Sequence, residues 1–157
     1  YNNVKKQLSL VLDKLAAAEH DIWVRPETAG RISQFGSLSQ ILKLSSELDN
    51  VMPCIDFGHL HAMGGKNNTF QEFRAILSQV ENVLGKQGLR NMHIHAEGIE
   101  YTDKGERRHV NFKDSDFNYE AMVKAWKEYD IKGVVISESP NLESDSLRMQ
   151  EVYQTLP

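Results

Sequence analysis

The chain has one cysteine, Cys54, so no internal disulfide framework holds it together. That usage fits a reducing compartment, and a cytoplasmic location is expected. No apolar run approaches the roughly 20 residues of a membrane-spanning helix, so no such helix is expected. No signal peptide opens the sequence; YNNVKKQLSLVLDKLAAAEH reads instead as the middle of a domain. Positive charge is not in excess. Lys and Arg number 18 against 22 Asp and Glu, a net charge of −4, which gives no global argument for nucleic acid. It does not exclude nucleic acid either, because divalent metals offset clustered carboxylates. A basic stripe interleaved with aromatics is absent, so specific base readout has no support. Low-complexity segments are absent too.

What is there is an ordinary globular composition. Apolar residues make up 40% and charged residues 25% of 157, enough for one domain with a real core. Val4, Leu8, Val11, Leu12 and Leu15 recur at helical spacing. DIWVRPE reads as a short strand closed by Pro26 and Glu27. Phe35, Leu38, Ile41, Leu42 and Leu48 predict a second helix, and VMPCIDF a second strand. Phe70, Phe73, Ile76, Leu77, Val80 and Leu84 predict a third helix, with Gly85 and Gly88 as stop signals. NMHIHA and GVVISES are the third and fourth strands, and the helix between them covers Tyr119 to Tyr129. Leu147, Met149, Val152 and Tyr153 lie in a last helix. The fold class is therefore α/β, with four parallel strands and about five helices in βα units. The stretch from Glu97 to about Asn118 is predicted to be irregular, and a loop of that length is more often functional than idle.

Each strand ends in chemistry. The first ends at Glu27. The second ends at Asp56, with His59 and His61 just beyond. The third carries His93 and His95 and is followed by Glu97. The fourth ends at Glu138. Parallel α/β sheets and barrels gather their sites at the C-terminal edge of the strands. Carboxylates and imidazoles brought together there suit zinc or manganese, and a mixed shell leaves positions open for water or substrate. The absence of thiolate ligands argues against a structural zinc site. A lone acid at a strand end is often just a helix cap, and a lone histidine is often just hydrogen-bonded. Four strands ending alike are harder to explain that way. His20 lies on the opposite edge and is read as complementing a helix C-terminus. His93 and His95 share a strand face, so both point the same way.

Eight βα units need about 250 residues, and four strands cover half of that. Residues 1–157 are thus expected to be half of a barrel, a fragment that pairs with the missing half or with a second copy.

RPETAGR, CIDFGHLHA, MHIHAEGIEY, GERRHVNF and VISESPN resemble the endonuclease IV family, of the archaeal type, within the xylose isomerase-like TIM barrels. The likeness covers essentially the whole chain and corresponds to the C-terminal half of a (β/α)8 TIM barrel. It implies metal-dependent phosphodiester hydrolysis at abasic sites in DNA, with zinc as cofactor and manganese as the alternative. It also implies roles by position. Glu27 matches a bridging glutamate, and with Glu138 it is the expected catalytic pair. Asp56, His93 and Glu138 match ligands of the second metal, and His59 and His109 match ligands of the third. The family's aspartate two before that last histidine falls on Arg107 here, with Glu106 adjacent. The family's two histidines from early strands have no counterpart, so the first metal would keep only Glu27. Lys104, Arg107 and Arg108 are candidate phosphate contacts. The rival is a metal-dependent sugar isomerase or epimerase, which would use one complete site, Glu27, Asp56, His93 and Glu138, with no working His59/His109 site. Retention of both His59 and His109 favours the nuclease.

Overall fold

A computed structural model describes residues 1–157. Helix α1, Asn2–Ala17, opens the chain and buries none of its residues. Helix α2, Leu38–Glu47, starts at a reciprocal cap: Ser37 accepts from the Gln40 amide and the Gln40 side chain accepts from the Ser37 amide. Helix α4, Phe70–Arg90, starts the same way at Thr69 and Glu72. Helix α5, Tyr119–Glu128, is capped by Asn118, and α6 covers Glu143–Thr155. The predicted end of the third helix at Gly85 is half right. Gly85 sits at φ 66°, which breaks the helix direction, but helical turns resume and run to Arg90.

Strands β1 (Cys54–Asp56), β2 (Met92–Ala96) and β5 (Gly133–Ser137) form a parallel sheet in the order β1-β2-β5. The predicted first strand lies beside β1 but joins it through two isolated parallel bridges, Val24 to Val51 and Glu27 to Cys54. The interruption is Pro26, which has no N–H to give to the ladder although its carbonyl still accepts from Cys54 at 2.9 Å. Four parallel strand segments therefore run side by side, as expected for part of a TIM barrel. There are six α-helices rather than five. The extra one is α3, Phe57–Ala62, which follows β1 directly and carries His59 and His61.

The long irregular stretch is corrected. Residues Gly98–Thr102 (β3) and Gly105–Val110 (β4) form an antiparallel hairpin, followed by a 3-10 turn at Phe112–Asp114. Its tip docks on the loop after the first strand, where the Glu106 amide donates to Gly30 O at 2.7 Å. Gly105 makes the approach feasible: at φ 100°, with a Cβ that would fall 2.2 Å from Gly30 O, no other residue fits.

One sheet face packs against the helices. Met92, Ile94 and Ala96 enter a core with Phe57, Phe73, Leu77, Val123 and Trp126. The other face carries the alternating partners, Cys54, His93 and Val134 in one row and Asp56, His95 and Ile136 in the next. Strand β5 is a sheet edge, and its Val134, Val135 and Ile136 are 54%, 39% and 40% exposed. No helix is long and apolar enough to cross a membrane.

Candidate metal centre at the strand ends

Parallel register sets the first group. Asp56 stands opposite His95, and Glu27 lies across from Cys54 on the neighbouring segment. Ligand atoms of Glu27, Asp56, His95 and Glu138 all lie within 4.8 Å of one another. His95 Nδ1 is 2.9 Å from Glu27 Oε1 and 3.5 Å from Glu138 Oε1. The sequence reading placed His93 with these carboxylates. His93 sits one row lower, opposite Cys54, and His95 occupies the place expected for it.

Helix α3 sets the second group. Asp56 ends β1 and caps α3 by accepting from the His59 amide at 2.7 Å, which turns the His59 ring back over the strand ends. The ring is held at Nδ1 by Thr28 O, 3.0 Å away, so Nε2 faces outward. That atom is 3.7 Å from Glu106 Oε2 and 3.4 Å from His109 Nε2. His59, Glu106 and His109 form a second set within 4.8 Å. Glu106, one residue before Arg107 on β4, carries a carboxylate to the two histidines.

Glu97 was named beside the third strand in the sequence but given no role there. It directly follows β2, is fully buried, and falls into sets with Asp56 and His59 and with His109 and Glu138. Its side chain fills the space above Gly58, where a Cβ would come within 1.9 Å of Oε1. Asp56 Oδ2 and both Glu97 oxygens are buried without a hydrogen-bond donor. Burial, then the facing Asp56 carboxylate, push the Glu97 carboxyl well above its ordinary range; burial raises Asp56 too. Two buried acids this close repel each other when ionised, and a cation between them would relieve that repulsion. The sequence signal for Glu97 was its position immediately after the strand. For Glu106 it was the three-residue spacing to His109.

The remaining candidates lie elsewhere. Arg107 and Arg108 both pair with Glu100 across the hairpin and are exposed. His61 is buried and bonds Asp116 at 3.0 Å, and Tyr101 bonds the same carboxylate at 2.8 Å. That arrangement ties the hairpin to α3 through the loop before α5. His20 is exposed and remote from both groups.

The sequence model of xylose isomerase-like TIM barrels matches residues 1–156. The chain belongs to that family. The barrel family's strand-end geometry is the one described above, with ligands gathered where parallel strands finish. The chain is also 46% identical over 157 residues to an uncharacterized protein of Methanocaldococcus jannaschii. The match covers 99% of this chain and 57% of that protein, so the chain spans little more than half the relative's length.

Proposed function

We propose that the chain carries the metal-binding part of an endonuclease IV-like hydrolase that cuts DNA at abasic sites. The observation that supports this reading is the contiguity of two ligand sets. Glu27, Asp56, His95 and Glu138 adjoin His59, Glu106 and His109, and His59 Nδ1 lies 3.7 Å from Glu27 and 3.4 Å from Asp56. Adjacent cation positions suit in-line displacement at phosphorus, where attacking and leaving oxygens both need charge stabilisation. A sugar isomerase needs one such position, and the Glu106 carboxylate between two histidines is surplus to it.

The donors fit zinc, or manganese as the alternative: carboxylate oxygens and imidazole nitrogens, with buried acid oxygens that lack any donor. When bound, zinc supplies Lewis-acid polarisation of a phosphoryl oxygen and lowers the pKa of an attacking water. The chain's own residues hold and orient. Glu27 spans the two sets, since one of its oxygens faces both His95 and His59. Thr28 O fixes the tautomer of His59, and Asp56 fixes the turn that carries it. Glu138, directly after β5, closes the first set from the opposite side. Arg107 and Arg108 reach phosphate only by leaving Glu100, and exposed pairs of this kind contribute little, so the exchange costs little.

The test uses the full-length protein and a duplex carrying a single abasic site, with and without chelator. Chelator-sensitive incision beside the lesion is the expected result. A folded, metal-loaded protein that leaves the duplex intact and interconverts an aldose and a ketose would replace this reading with sugar isomerisation.

A further inference from the structure

The row beneath the carboxylates has a different chemistry. Cys54 stands opposite His93, one register step below Asp56 and His95. Cys54 Sγ, a His93 nitrogen and a His95 nitrogen all lie within 4.8 Å of one another. Cys54 is the chain's one cysteine, and it is buried and unpaired. His93 is partly buried, and burial, then the neighbouring His95 and Arg25, hold it below the ordinary imidazole range. The proposed hydrolytic reaction uses neither Cys54 nor His93.

We propose that Cys54, His93 and His95 form a further metal position, selective for thiophilic cations such as Cd2+, Cu+ or Zn2+, that shares His95 with the carboxylate set above it. One sulfur and two imidazoles are soft and borderline donors, whereas the row above is mostly hard oxygen. The two positions thus sort cations by softness along one strand pair. Binding is a proton exchange. As the sulfur–metal bond forms, the thiol proton leaves to solvent. Arg25 lies beside Cys54, with its guanidinium tied to Asn91 Oδ1 at 2.7 Å and Asn91 O at 3.1 Å. It favours the thiolate and opposes the cation, which restricts the position to ions with strong affinity for sulfur. Because His95 belongs to both sets, a cation below competes for the imidazole that serves the one above. This inference stands whichever reaction the upper set performs.

The experiment is a Cd2+ titration of the metal-free chain, followed by the near-ultraviolet thiolate-to-cadmium charge-transfer band. With one cysteine in the chain, that band reports Cys54 alone. A saturable band is expected, lost in Cys54→Ser and shifted to at least ~10-fold weaker binding in both His93→Gln and His95→Gln. Circular dichroism of each variant checks its fold. Absence of the band in folded protein would overturn the proposal. So would a band of unchanged affinity in both histidine variants, which would describe a bare thiol. If Cys54→Ser does not fold, the two histidine variants decide alone.

Discussion

At position 95 an imidazole faces three carboxylates, and at position 93 an imidazole faces a thiol. The two residues lie two apart on one strand, yet their substitutions should separate cleanly. His95→Gln and Glu138→Gln are expected to lower the affinity of the carboxylate set for Mn2+ by at least ~10-fold, read by calorimetry. His93→Gln should leave that affinity within about twofold. Equal losses in the His93 and His95 variants would show that the carboxylate set extends a row deeper than the register places it. Sequence reasoning stopped one step short here. It saw that both histidines share a face, but choosing between them requires the register with β1, which hydrogen bonds between distant segments determine.

The hairpin of β3 and β4 is the element that completes the second ligand set. Gly105→Ala would force the docking tip away from Gly30, at a cost of about 1–3 kcal/mol for the positive φ alone. His59, Glu106 and His109 should then lose their cation while Glu27, Asp56, His95 and Glu138 keep theirs. Metal stoichiometry in the purified variant measures this, and a loss at both sets would contradict the two-set description. Helix α6 gives a pH-dependent counterpart. Asp145 is buried and accepts from the Phe112 amide at 2.7 Å and from Asn141 at 2.8 Å. Burial alone would raise its pKa; the Asn141 and Phe112 bonds outweigh burial and hold it below the ordinary aspartate range. A lowered folded-state value means stability that is present above the unfolded value of about 3.9 and lost as pH falls through the folded value. Asp145→Asn should therefore cost about 1–3 kcal/mol at neutral pH and flatten the acid limb of the denaturant-derived stability profile. The helices and the strand-end acids were legible because their signals are local: apolar spacing and a carboxylate closing each apolar run. The hairpin was not. Its alternation is diluted by Glu100, Glu106, Arg107 and Arg108, and what makes it a hairpin is docking against Gly30, a contact between residues far apart in sequence.

At the scale of the whole molecule, the parallel sheet leaves β5 unpaired along one edge, with its apolar side chains partly in water. The completing strands are proposed to come from the remainder of the full-length protein or, in isolation, from a second copy of this chain. The same strand delivers Glu138 to the carboxylate set one residue past its last paired position, Ser137. Whatever pairs with β5 therefore also fixes where Glu138 stands. Assembly and ion binding become two sides of one thermodynamic cycle: if closure tightens the ion by some factor, the ion must tighten closure by the same factor. Separately expressed halves should accordingly associate more strongly with Mn2+ present, and Glu138→Gln should remove most of that increment. Equal association with and without the ion would show that the edge and the carboxylate are energetically independent.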